Sequence, residues 1–432
     1  AILAQAFSAS QDFKFRYRRS AAVSSMGCGA SSVPLPAYTD ASDKSAAEAK
    51  ACAERLANMG FNLQQLLEFY QFYREMGKIK ARTTTNDVVR SIIIPETALD
   101  PRCYMKSDFM AARGGGQRAR KLVSHAWKSE FVNTVLNIVL DATGWEILKL
   151  MNQYTFRGPV YFERGVLNAD ALLEALEPGV LKSTYWLCIF AVDEHRAICG
   201  DCWTCNKTSE WLGDPAAHLR ADPCLACNKQ KFNPCECGSL KYSVGHPMYE
   251  IDKFDLVVEE MDGLVVSLDK KMESVKRIWV VAEIGKAVRS CGVVFRLAMG
   301  LGEQGIANLA EGVRLMDSVE CCDATSDEDK ERIMHEIRSM EGGVNAYDTF
   351  VNCMLELSFG VCLRLPELQG PFKTTIAGLK MLEMDCSWVS NRLRSTSEIT
   401  NSKGLRMLQH LQQLTMKFES CSQLSDVSSL GQ

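Results

Sequence analysis

At 432 residues, 47% apolar and 24% charged, the chain has the composition of a soluble globular protein, able to bury a core in one main domain with helical flanks or in two. The formal charge of -4 leaves no basic excess, which argues against nucleic acid as a partner of the whole chain. No apolar run approaches the roughly 20 residues that span a bilayer, since "FVNTVLNIVLDATGW" is broken by Asn133, Asn137 and Asp141.

Residues 1–42 read as a disordered segment with a candidate lipidation site. Within it "MGCGAS" fits the N-myristoylation pattern if translation starts at Met26, with Gly27 the acceptor and Cys28 offering palmitoylation. Two acyl chains hold a protein on a membrane where one holds it marginally, so the expectation is a cytoplasmic protein with peripheral membrane attachment. The basic, Ser-rich residues before Met26 also fit a transit peptide, and a small-residue tail of no function is the plain alternative.

Residues 43–120 form a helical region and linker in this reading. "KSAAEAKACAERLANM" and "FNLQQLLEFYQFYREMG" have helical spacing with glycines at the breaks. In "ARTTTNDVVRSIIIPE", Asn86-Asp87 is placed to cap a short helix and Pro95 to end the apolar run. "AARGGGQRARK" lacks the Lys-Ser/Thr of a phosphate-binding loop and reads as solvated linker.

From Lys121 to about residue 302 the pattern is α/β. Strands are predicted at "KLVSH", "YWLCIFAV", "GLVVSL" and "VVFRLA", with amphipathic helices between them and a Cys-rich insert at 195–242. Such alternation predicts a parallel sheet with its site at the carboxyl ends of the strands, where Ser124-His125, Asp193 to His195 and Ser267 to Asp269 fall. Residues 303–432 read as a mostly helical region, with "DEDKERIMHEIRSM" a charged helix.

Of the eighteen cysteines, seven fall in the insert: Cys199, Cys202, Cys205, Cys224, Cys227, Cys235 and Cys237. Two-residue spacing lets neighbouring thiolates reach one tetrahedral zinc, so structural zinc is predicted, with His195 the nitrogen ligand. Seven thiolates with His195, His218 or His246 fill two sites, or one with spare ligands; free thiols are the first alternative and an iron–sulfur cluster the second.

In "SLDKKMESVKRIWVVAEIGKAV" a tryptophan and a glutamate lie four apart on one helix that follows the predicted strand "GLVVSL". With "SHAW" and "YWLCIFAVDEH", this stretch resembles the TIR (Toll/interleukin-receptor) family, a flavodoxin-like parallel sheet in which a strand ending in Ser precedes a helix carrying Trp-Cys-x-x-Glu. The motifs "TTNDVVRxxIIP", "SHxW", "YWxCxFxVxxH", "CxCG" and "RxWCxxE" are similar to those of a large group of protist, especially dinoflagellate, proteins, over about residues 60 to 340. Val280 stands where the TIR pattern has Cys.

The resemblance implies that Trp279 and Glu283 match the TIR pair, and that Glu283 serves cleavage of the nicotinamide-ribose bond of NAD. One carboxylate suffices for that chemistry, since it stabilises an oxocarbenium-like state or traps it as a nucleophile. Ser124 and His125 are predicted beside Glu283 and Trp279 in the catalytic cleft, with Trp127 and Ser267 on its ligand side. TIR likeness also implies self-association, and a non-catalytic signalling or interaction module with a zinc-braced insert is the alternative function. From residues alone the favoured reading is that Glu283 is an ordinary helix charge paired with Arg277, Lys286 or solvent, and Trp279 a core residue; only the resemblance brings the catalytic reading level with it.

Overall fold

The Ala-rich run after residue 42 has high helix propensity and forms α1 (Asp43–Ala57). The computed structural model describes residues 43–144, 162–163, 165–199, 235, 237, 239, 242, 246, 248–298, 316–324, 327–358, 381–385 and 413–417. All lie within one compact unit that starts at Asp43. At Gly60 the carbonyls of Gln117 and Tyr185 come too close for any Cβ, and the chain passes there into β1 (Phe61–Asn62). Asn62 caps α2 (Leu63–Glu75) in a capping box with Gln65.

A second capping box, Thr84 with Asp87, opens the next helix, so the cap is Thr84 rather than the predicted Asn86-Asp87. This helix, α3, runs through Thr85–Val88, a π turn at Val89–Ile93, and Ile94–Thr97. The prediction that Pro95 ends the run is corrected: the wider π turn just before it relieves the clash a proline ring makes with the preceding turn.

The chain then alternates. β2 (Lys121–Ser124) and α4 (Phe131–Thr143) come first, followed by a small hairpin of β3 (Phe162–Glu163) and β4 (Val166–Leu167). Then come α5 (Ala169–Ala175), β5 (Thr184–Trp186), α6 (Phe254–Glu259), β6 (Gly263–Ser267), α7 (Ile278–Ser290) and β7 (Val293–Arg296). The main sheet has the order β1-β5-β2-β6-β7; the last four are parallel, and β1 is an antiparallel edge. Three predicted strands are therefore present. The fourth, "YWLCIFAV", is strand only to Trp186, and Cys188–Ala191 is a helical turn. An all-apolar run has no period, so burial on every side looks the same for a strand and a buried helical turn.

Strand alternation assigns the two faces. Ser124 lies on the face covered by α7, where Glu283 meets it. Lys121, Tyr185 and Arg296 lie on the face covered by α4 and converge on the buried carboxylate of Asp141 at 2.7, 2.9 and 3.0 Å, which ties three strands to one helix.

C-terminal to the sheet, α8 (Asp327–Arg338) and α9 (Gly343–Ser358) pack on α7. The region predicted as mostly helical also contains a parallel pair, β8 (Met381–Asp385) with β9 (Gln413–Lys417). Gly285 makes the α7–α9 contact possible: a Cβ there would lie 2.1 Å from the Tyr347 hydroxyl, which donates to the Val281 carbonyl at 2.8 Å. Gly285→Ala is expected to cost about 1–3 kcal/mol by overpacking, read as a lower melting temperature with an unchanged far-UV spectrum. An unchanged melting temperature would show that this contact is loose.

Candidate functional site

Two clusters of chemistry-bearing side chains lie beyond the carboxyl ends of the parallel strands. The first is built on β2, the loop after it, and α7. Ser124 ends β2 and donates its hydroxyl to a carboxylate oxygen of Glu283, which is 6% exposed. Burial raises the Glu283 carboxyl to about 7, against the lowering effects of the Ser124 hydrogen bond and the nearby Arg277 guanidinium. Arg277 sits at the N-cap of α7, and burial lowers its own value while Asp323 raises it.

In the loop, His125 is 8% exposed, and burial, with the Arg277 charge adding to it, holds its ring near 4 and therefore neutral at neutral pH. Its Nε2 is buried without a hydrogen-bond partner. Two residues on, Trp127 donates its indole N–H to Cys188 Sγ at 3.4 Å, and burial pushes that thiol well above its ordinary range.

Glu283 also opens on a cleft of about 100 Å³ between α6, α7, α8 and α9, lined by Trp279, Lys286, Asp255, Arg332 and Tyr347 among others. The Arg332 guanidinium lies 5.1 Å over the Trp279 ring. Trp279 is thus a half-buried cleft residue.

Ser124 and Glu283 are therefore in contact and Trp279 lies one helical turn before Glu283, but Ser124, His125 and Trp127 are not among the residues that line the cleft on which Glu283 and Trp279 open. Ser267 is elsewhere. It lies on the opposite face of the sheet, where Asn137 on α4 donates to its hydroxyl at 2.8 Å. The sequence names Arg277 only as a helix-face partner of Glu283 and gives no sign of Cys188, because a lone Arg before a helix and a Cys within an apolar run do not mark a site.

The second cluster holds His195, Cys199, Cys235 and Cys237, whose ligand atoms all lie within 4.8 Å of one another. Asp193 caps the short helix Glu194–Ala197, which sets His195 and Cys199 on successive turns. Cys199 Sγ is 3.7 Å from Cys237 Sγ, and Cys235 Sγ is 3.4 Å from His195 Nδ1. A tetrahedral zinc with bonds of about 2.3 Å to sulfur and 2.0–2.1 Å to nitrogen requires separations of about 3.8 and 3.6 Å, so the donor set fits such an ion. Cys202, Cys205, Cys224 and Cys227 lie outside the described residues, as do Gly27 and Cys28.

Among the described residues no helix is long and apolar enough to cross a membrane. Comparison with family models, curated proteins and solved structures gave no match.

Proposed function

We propose that this chain is a TIR-like protein that cleaves the nicotinamide-ribose bond of NAD, with Glu283 as the carboxylate that meets the developing oxocarbenium ion. The observation carrying this reading is the buried Glu283 carboxyl, held by Ser124 at the carboxyl edge of a parallel sheet and open to a cleft beside Trp279. The parallel strands, in chain order, lie 2-1-3-4 across the sheet, the start of the flavodoxin-like order. Ligands of such sheets sit where the order reverses, between the first and third strands, here β2 and β6. Glu283 and Trp279 follow β6, and Ser124 ends β2.

In this mechanism Ser124 orients the carboxylate and Arg277 favours its ionised form as positive charge builds on the ribose. Nicotinamide needs no general acid, because bond breaking neutralises its ring nitrogen. The ionised carboxylate is the reactive form, so cleavage is expected to rise with pH through about 7. A rate that falls or stays flat across that range would exclude this role.

One observation favours the non-catalytic alternative, a signalling or self-association module. The cleft is far smaller than the roughly 300–1,000 Å³ of ordinary ligand sites, and Arg332 covers the Trp279 face. Under the enzymatic reading α8 moves aside to admit the substrate. Nicotinamide release from NAD, measured with the protein alone and clustered on a surface, separates the two: turnover in either state supports the enzyme, and none in both supports the module.

The insert is a zinc-braced element in this proposal. His195, Cys199, Cys235 and Cys237 take one ion, leaving Cys202, Cys205, Cys224 and Cys227 as two pairs of two-residue spacing in the sequence, a common four-cysteine zinc pattern. Elemental analysis of protein purified under reducing conditions is expected to find two zinc ions per chain. One ion would confine binding to the first set, and none would overturn the metal reading.

A further inference from the structure

We infer that Thr97 is the positioning residue of the metal centre: it fixes the tautomer of His195, so that Nδ1 is the nitrogen that binds zinc. This rests on the zinc reading of the His195 cluster and adds a residue from a distant helix.

The Thr97 hydroxyl has one hydrogen, and it is donated to the Ile93 carbonyl at 2.7 Å. The same oxygen lies 2.8 Å from His195 Nε2. With its hydrogen committed, Thr97 accepts there, so Nε2 carries the proton and donates. A neutral imidazole protonated at Nε2 has its lone pair on Nδ1, the atom that faces Cys235 Sγ. Thr97 and His195 are 2% and 0% exposed, so bulk water does not reach this pair.

The carbonyl that takes the Thr97 hydrogen belongs to the last residue of the π turn in α3, which gives that irregular turn a part in the site. A hydrogen-bond partner on the far nitrogen orients a metal-bound imidazole and raises its basicity, and losing one typically costs 10–100-fold in affinity. Through this chain α3 and the insert are joined at the metal.

Zinc affinity by chelator competition tests the inference on the whole chain, together with the 15N correlation pattern of His195 in metal-free protein. Thr97→Val, which keeps the shape but removes the acceptor, is expected to weaken zinc binding 10–100-fold and to lose the Nε2–H pattern. Thr97→Ser, which keeps the hydroxyl, is expected to restore both. Wild-type affinity in Thr97→Val, equal weakening in Thr97→Ser, or an Nδ1–H pattern in the wild type would each overturn the assignment. Wild-type protein that binds no zinc would instead overturn the metal reading on which it rests.

Discussion

Glu283→Gln is expected to lower NAD cleavage at least about 100-fold while making the protein more stable at alkaline pH. The amide still accepts the Ser124 hydroxyl, so local packing is kept. It cannot ionise, so it offers no charge to an oxocarbenium ion. The stability gain follows from linkage. The carboxyl is raised from an ordinary 4.5 to about 7 in the fold, so between those values the folded protein holds a proton that the unfolded chain has released. Stability from this group therefore falls as pH rises from about 4.5 to about 7, and the full penalty, about 3 kcal/mol, persists above that. Gln carries no such penalty. The variant is expected to melt several degrees above wild type at pH 8 and near wild type at pH 4.

His125 runs the other way. Its ring is lowered to about 4, so its contribution is complete above about 6.5 and is lost as pH falls towards 4. In the wild type the two slopes largely cancel between about 4.5 and 6.5. In Glu283→Gln only the histidine slope remains, and stability is expected to rise with pH across that interval. A Gln variant of wild-type activity would move the catalytic role elsewhere, and one with no alkaline gain would mean that the carboxyl is not raised by burial.

How much of this was legible depends on how far apart the interacting residues lie in the chain. β2, β6 and β7 show as short apolar runs beside amphipathic helices, a local pattern. β1 has two residues and exists only because Phe61 and Asn62 meet Tyr185 and Thr184, more than a hundred residues on. Trp279 and Glu283 stand out through a motif, but Ser124 reaches Glu283 only because β2 and β6 are neighbours. The same neighbours put Ser267 on the wrong side of the sheet, a matter of strand parity and register, which apolar content does not reveal. In the insert, spacing marks cysteines as ligands; the joining of Cys199 to Cys237, 38 residues on, is a tertiary fact. Thr97 has no local signal at all, since a helical threonine usually bonds only its own preceding turn.

Removing zinc is expected to destabilise the protein by about 4 kcal/mol or more. On the proposed zinc reading the ion would tie His195 to Cys235 across 40 residues, and closing a loop of that length restricts the unfolded chain by about this amount, before any gain from the bonds to zinc is counted. The loss is expected to travel through defined contacts. Asp193, the cap before His195, donates its backbone N–H to Glu250 at 2.8 Å, and Glu250 pairs with Arg55 of α1 at 2.8 Å. On the other side Thr97 links His195 to α3. Metal-free protein should therefore show faster amide exchange at Asp193 and Cys199, the latter bonded to the Glu194 carbonyl, while the amides of β2 and β6 stay protected. Cys199→Ser should reproduce this without chelator. Because zinc competes with protons for the thiolates and the imidazole, acidification should release the metal and give the same exchange pattern. Chelation that leaves both the melting temperature and the Cys199 amide unchanged would show that these side chains hold one another in place without an ion.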